Sequence, residues 1–459
     1  MSHRFHPTLL REYDVRGTVG KTLHEADARA LGRSFGTVVA RAGGRRVAVG
    51  YDGRLSSPML ESALVEGLTH TGIDVLRIGL GPTPMLYHAE MTGNVDGGIH
   101  ITGSHNPADQ NGFKLVHAHA PFFGADIQRL GVLAAQGDWE SGAGRVTGVD
   151  MLETYVDRLM QGFDGAALRI GWDTGSGAAG PAVEQLAQRL PGEHHLLFTR
   201  VDGHFPHHHP DPAVDANLAD LRALVLSKRL DFGVAFDGDG DRIGVIDHKG
   251  RAIAGDRLLG IFAADMLQKR PGAAIVADVK TSQAVFDRVA ALGGRPDMWK
   301  AGHSHIKSRM KQIGAALGGE TTGHLFFADD HPGYDDALYA AIRLIRLVSA
   351  AQCPVAALAD AMPTGAITPE LHIAVPDEEK FGTVKRIASR LRSAGADMAE
   401  LDGVRVRTAD GWWLLRASNT QGALVVRAEG HDAAGLARLL EQVDSHLSAT
   451  GMSLPMGAD

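Results

Sequence analysis

The sequence contains a single cysteine, Cys353, in 459 residues. An intrachain disulfide is therefore excluded, and the apolar surroundings AAQCPVAAL point to packing rather than chemistry. A reducing compartment is the expectation. No run approaches the about 18 consecutive apolar residues of a membrane span, and the opening MSHRFHPTLLREYD has no apolar stretch of signal-peptide type. This leads to the expectation of a cytoplasmic protein with no membrane partner. Excess positive charge is also missing: 46 Lys and Arg stand against 54 Asp and Glu, a formal net charge of -8. Broad electrostatic binding to nucleic acid is disfavoured, so an anionic ligand must be met by locally clustered cations. With 44% hydrophobic and 22% charged residues the chain reads as globular rather than disordered. Its length suits about three domains of roughly 100 to 200 residues.

Short apolar runs followed by Gly and Asp and then a helical pattern recur at RRVAVGYDGR (45–54), LRIGWDTGSG (168–177) and AAIVADVKTS (273–282). Strands that are apolar throughout, alternating with amphipathic segments such as SSPMLESALVEGLTH and PAVEQLAQRL, predict sheets covered by helices on both faces. In such sheets ligands bind beyond the carboxyl ends of the strands, so several domains can aim their loops at one cleft. From about Thr368 the texture changes to VRVRTADGWWLLRASNTQGALVVRAEG, strand-like runs separated by turns and followed by a helical tail. The reading is three similar mixed α/β sheet domains, 1–150, 151–255 and 256–367, plus a smaller α+β domain, 368–459, around a central cleft. GRVTGVDMLETYVDRLM near 144–160 reads as a linker running into a helix, and AMPTGAITPE near 361–370 has a linker's Pro and Gly.

VAFDGDGDRIGVID (234–247) carries Asp237, Asp239 and Asp241 on one short loop, separated by Gly238 and Gly240. Three crowded carboxylates repel one another unless a cation neutralises them, and the glycines let the backbone bend so that all three face one point. Hard oxygen ligands imply Mg²⁺, its shell completed by a phosphate. A solvated turn is the plainer alternative, though neutral residues would serve it as well. An EF-hand is excluded, because Arg242 and His248 stand where its glycine and glutamate belong.

GGIHITGSHNP (97–107) runs from a strand into a polar turn that presents Ser104, either as a simple turn or as a nucleophile loop with His105 as helper. The G-x-S-x-G match at 32–36 lies in a helical pattern, so Ser34 is no hydrolase elbow. GTVGKT (17–22) has Val15 where a P-loop needs its first glycine. Gly175 to Gly180, GSGAAG, is a literal dinucleotide fingerprint followed at a suitable distance by Asp202, which keeps an NAD(P)-dependent oxidoreductase as the alternative from another class. The histidines of FPHHHPDP are read as a polar loop.

REYDVRG (11–17), TGSHNP (102–107), DGDGDR (237–242), GETTGH (319–324) and RASNTQGALVVRAEG (416–430) occur in one order across the chain. In this the chain resembles the α-D-phosphohexomutases, above all the bacterial bifunctional phosphomannomutase/phosphoglucomutases. The resemblance implies an isomerase that moves a phosphoryl group between C1 and C6 of mannose or glucose through phosphoserine and a hexose 1,6-bisphosphate. The phosphoglucosamine mutases of the same superfamily are the nearer alternative. It implies Ser104 as the phosphoserine, which joins Asp237, Asp239 and Asp241 around Mg²⁺, with Arg242, Lys114 and His303 as catalytic neighbours. Glu320, Thr322 and His324 are implied for the sugar, and Arg416, Ser418, Asn419, Thr420 and Arg427 for the phosphate that is not reacting. Tyr13, Arg16, Lys280 and Lys307 are implied to line the cleft. Glucose or mannose 1,6-bisphosphate is the implied activator, phosphosugars are the expected partners, and a monomer is the default. The chain departs from the family's common pattern at Thr321 and Thr322, where Met-Ser is usual, and at Gly422 and Ala428, where Pro and Phe are.

Overall fold

A computed structural model of the chain describes residues 2–418 and 422–455. Four sheets follow one another along it. The first is ordered Val15–Thr18, Gln110–His117, Gly97–Ile101, Arg46–Tyr51, Asp74–Leu80, Val146–Gly148, with Ala120–Pro121 on the outside of Gln110–His117. The second is ordered Ala252–Ile253, Ile243–Asp247, Phe232–Phe236, Leu168–Asp173, Gly192–Leu197, and the third Arg295–Trp299, Ala274–Asp278, Leu317–Gly319, Leu325–Phe327. All three combine parallel pairs with an antiparallel flank. The fourth sheet is antiparallel throughout, built around Gly411–Ala417 and Ala423–Gly430.

One device recurs. In each of the first three sheets a buried strand pairs in parallel on one side and on the other turns straight back into an antiparallel partner, and the turn carries a polar motif. These turns are 102–109, 237–242 and 320–324; in the fourth sheet the sequence between the two central strands, Gly411–Ala417 and Ala423–Gly430, carries another such motif, of which 419–421 lie outside the described residues. Gly97–Ile101 and Phe232–Phe236 are buried along their whole length, as strands covered on both faces should be, so only their ends are free to carry chemistry.

The second and third sheets share one apolar core, in which Trp172, Phe232, Phe262 and Phe327 meet helix Ala337–Ala351. The first sheet has its main core around Phe35 and Phe113, and the fourth around Trp413 and Leu424. Removing a fully buried aromatic such as Trp172 costs about 3 to 5 kcal/mol.

Ser34 lies inside helix Glu25–Arg41. Two segments read as linkers are partly strand: Val146–Gly148 extends the first sheet in parallel beside Asp74–Leu80, and Ala366–Ile367 pairs with Ala423–Gly430. Both are two- or three-residue edge strands without a buried face, so they leave no hydrophobic pattern to read. Among the described residues no helix is long and apolar enough to cross a membrane.

Candidate active site

The Ser104 loop and the acid loop come from different sheets and meet face to face. Ser104 Oγ donates to Asp237 Oδ2 at 2.7 Å and lies 3.2 Å from His105 Nδ1. Ser104 has φ of 49°, a left-handed conformation that costs a serine free energy and is held from outside. The holder is Arg54, whose guanidinium is fully buried and donates to the carbonyls of Ser104, Asn106, Pro107 and Gln110 at 2.6 to 2.9 Å. Asp52 in turn takes the Gly103 amide at 3.1 Å and the Ser57 hydroxyl at 2.6 Å. Gly238 is obligatory here, since a Cβ on it would stand 2.4 Å from the Ser104 carbonyl oxygen.

Asp237, Asp239 and Asp241 are buried and offer oxygens within 4.8 Å of one another. Lys114, from the strand after the serine loop, places its ammonium 2.7 Å from Asp239 Oδ2 and in contact with Asp241 Oδ2. Thr83 donates to Asp239 Oδ2 at 2.5 Å. Burial, and then Asp239 and Asp241, push the Asp237 carboxyl well above the usual carboxylate range. Burial also opposes ionisation of Asp239 and Asp241, but Lys114 overrides it and holds both low. Asp239 Oδ1 and Asp241 Oδ1 have no hydrogen-bond partner among the described residues. Buried acid oxygens without partners, on a loop whose third carboxyl resists ionisation, fit a divalent cation.

The third sheet's turn closes over this pair. Gly323, with φ of 94°, accepts the Ile243 amide at 3.1 Å, and any side chain on it would strike the Ile243 carbonyl. His324 is thereby set with Nε2 3.3 Å from Asp241 Oδ1 and Nδ1 2.9 Å from Glu320 Oε2. Burial opposes its protonation, but Asp241 above all raises it to about 9. Arg242 Nε lies 3.3 Å from His324 Nε2. Glu320 also accepts the Gly302 amide at 2.6 Å, and Thr322 Oγ1 lies 3.3 Å from His324 Nδ1. His303 and Lys307, on one helix, both reach Asp335, at 3.2 and 2.7 Å. Arg16 pairs with Asp14 at 2.6 Å.

The remaining expected residues gather where the first, third and fourth sheets meet. Tyr13 donates to the Ala301 carbonyl at 2.7 Å, while the Ala301 amide lies 3.3 Å from Asp402, the partner of Arg416 at 2.9 Å. Lys280 pairs with Glu370 at 2.7 Å, and Arg427 lies 3.5 Å from Asp256. Ser418 is buried at the end of its strand. Asn419 and Thr420 lie outside the described residues.

GSGAAG forms no open dinucleotide cradle. The Ala178 amide donates to the Gly238 carbonyl at 2.9 Å, and Gly177 packs against Gly238 backbone, so the turn buttresses the acid loop. Sequence reasoning missed Arg54, Thr83 and Asp335, and the acids Asp402 and Glu370 that hold Arg416 and Lys280. Only the Arg that closes YDGR, just past a strand end, offered a signal.

Family models cover almost the whole chain. Those for domains I, II and III of phosphoglucomutase/phosphomannomutase match residues 7–131, 153–250 and 254–365, and that for the C-terminal domain matches 370–446. A phosphomannomutase/phosphoglucomutase of Pseudomonas putida is 43% identical, over 94% of this chain and 94% of its own. A phosphoglucomutase of Neisseria gonorrhoeae is 39% identical, over 94% and 95%. A solved phosphoglucomutase/phosphomannomutase family protein from Burkholderia thailandensis superposes with a TM-score of 0.92 at 39% identity, over 98% of this chain and 100% of that one. Sequence and overall fold agree, and the chain belongs to the phosphoglucomutase/phosphomannomutase family of α-D-phosphohexomutases.

Proposed function

We propose that this chain interconverts hexose 1-phosphate and hexose 6-phosphate, of mannose or glucose, through phosphorylated Ser104 and a hexose 1,6-bisphosphate. The observation that carries this is the Ser104 hydroxyl 2.7 Å from an acid of another sheet, in a loop fit for a cation. The names of the relatives, phosphomannomutase/phosphoglucomutase and phosphoglucomutase, support the same reaction.

Asp237, Asp239 and Asp241 would hold Mg²⁺, and when bound it would neutralise charge at the group being moved. A sugar hydroxyl oxygen bonds to phosphorus as the bond from phosphorus to Ser104 Oγ breaks, with Lys114 and Arg242 placing positive charge alongside. His303 and His324 are the ring groups at hand to take the hydroxyl proton and return it. The bisphosphate then turns end for end, and its other phosphoryl group passes to Ser104 Oγ.

Both orientations need one grip that reads phosphate rather than a particular carbon. Arg416, Ser418 and Arg427, with Asn419, Thr420 and Lys280, serve that role, while Glu320 and Thr322 hold sugar hydroxyls. Tyr13, Arg16 and Lys307 line the cleft. The units 1–150, 151–255, 256–367 and 368–459 act around it, the last closing to exclude water. The protein works as a cytoplasmic monomer on small phosphosugars, with glucose or mannose 1,6-bisphosphate as activator. A coupled assay with Mg²⁺ and bisphosphate should show both mannose 1-phosphate and glucose 1-phosphate converted to 6-phosphates, with glucosamine 1-phosphate run beside them. Conversion of none of the three overturns the reading.

A further inference from the structure

Ser104 is not the only group that ties the first sheet to the acid loop. Thr83, fully buried, opens helix Thr83–Thr92 and engages Asp239 twice: its amide donates to the Asp239 carbonyl at 2.8 Å and its hydroxyl to Asp239 Oδ2 at 2.5 Å. Pro82 and Pro84 flank it and fix the backbone on either side, and its β-branched side chain is stiff about χ1, so the hydroxyl has little room to turn away. Met85, Leu86 and Ala89 of the same helix lie in the core that also holds Trp172 and Phe236, the residue before Asp237, and this packing sets Thr83 against the loop.

The arrangement decides which oxygen of Asp239 is left over. Lys114 also sits on Oδ2, at 2.7 Å, while Oδ1 has no hydrogen-bond partner among the described residues. Lys114 alone does not select between them, because its ammonium is shared with Asp241 Oδ2 and can be met by either oxygen of a carboxylate. A directional hydroxyl on Oδ2 breaks that equivalence and keeps Oδ1 unspent beside Asp237 and Asp241. The two ties also differ over a catalytic cycle. Ser104 Oγ donates its hydrogen to Asp237 in the resting chain, but an Oγ esterified with phosphate has no hydrogen to give. The Thr83 tie is untouched by that change.

We propose that Thr83 is a positioning residue for the reaction: reaching from the first sheet's side to the second's, it fixes Asp239 so that Oδ1 stays turned to the divalent cation the acid loop suits, and it keeps that loop in place when Ser104 is phosphorylated. Outer groups that orient ligating carboxylates commonly tune cation affinity in this way. The use of this clamp in turnover rests on the mutase reading, whereas its effect on cation binding is measured on the resting full-length chain.

Mn²⁺ titrated into the resting protein, with the free ion counted by electron paramagnetic resonance, reads the effect directly. Thr83→Val keeps the shape and loses the donor, and should weaken binding about tenfold or more, whereas Thr83→Ser keeps the donor and should stay within about threefold of the unaltered protein. In turnover Thr83→Val should raise the Mg²⁺ needed for half-maximal rate by the same factor and leave KM for the sugar phosphate unchanged. Crystals of the unaltered protein grown with Mn²⁺, which need no variant to fold, should show the anomalous peak against Asp239 Oδ1 with the Thr83 hydroxyl still on Oδ2. Undiminished binding in Thr83→Val, an equal loss in Thr83→Ser, or an ion on Asp239 Oδ2 would overturn the assignment. Ion binding as described, without conversion of any sugar phosphate, would sink the mutase reading alone and support the clamp.

Discussion

At the transferring end of the proposed cleft, three buried acids face a single amine, Lys114, from the neighbouring sheet; at the gripping end, Arg416 and Lys280 are each paired with an acid, Asp402 and Glu370. The first holds surplus acid oxygens, two of them without hydrogen-bond partners among the described residues, which suits a cation. The second pairs its cations with carboxylates, which in the proposed reaction an incoming phosphate would replace, trading one anion for another. A phosphate with more acceptor oxygens and higher charge wins that exchange, and the carboxylates spare the empty site the cost of unpaired buried cations. On the proposed function, one end governs turnover and the other affinity.

The largest effect belongs to the acid loop. Asp239→Asn should lower kcat by about a hundred- to a thousandfold with little change in KM, read by initial rates across a Mg²⁺ titration. A rise in KM alone would merge the two ends. Arg54→Ala should destabilise by about 3 to 5 kcal/mol in denaturant unfolding, because it strips a buried guanidinium from the four carbonyls and the carboxylate it holds. Unchanged stability would mean that the serine loop holds its own strained backbone. At the other end Arg416→Ala should raise KM by one to two powers of ten, about 1.5 to 3 kcal/mol, and leave kcat nearly intact.

The smallest effect is one of pH. Burial opposes ionisation of Glu370, but Lys280 overrides it and depresses the pKa to about 2, from an ordinary 4.5. A depressed carboxyl stabilises the folded state fully above its unfolded pKa and loses that contribution as pH falls towards the folded one. Contact between the third and fourth sheets should therefore loosen between about pH 4.5 and pH 2. Hydrogen exchange over 366–374 reports it, and Glu370→Gln should flatten the dependence.

The chemistry at the strand ends was legible because acids, glycines and a serine crowd there against the ordinary needs of a turn, as at 237–242 and 102–107. The repeating strands at 45–54, 168–177 and 273–282 were legible from their apolar runs, and strands Arg46–Tyr51, Leu168–Asp173 and Ala274–Asp278 stand there. Val146–Gly148 and Ala366–Ile367 were not, because a strand of two or three residues with no buried side chain owes its existence to a neighbour far away in sequence. The same holds for Arg54, whose acceptors lie 50 to 56 residues on, and for the partners of Lys280 and Lys307, 90 and 28 residues off. A single sequence records which residues carry charge; which charge answers which is settled by the sheets.

The most direct test is the state of Ser104. Incubated with glucose 1,6-bisphosphate and Mg²⁺, the protein should gain the mass of one phosphoryl group, peptide mapping should place it on Ser104, and Ser104→Ala should neither gain it nor turn over substrate. Phosphate on any other residue, or turnover surviving in Ser104→Ala, would contradict the account.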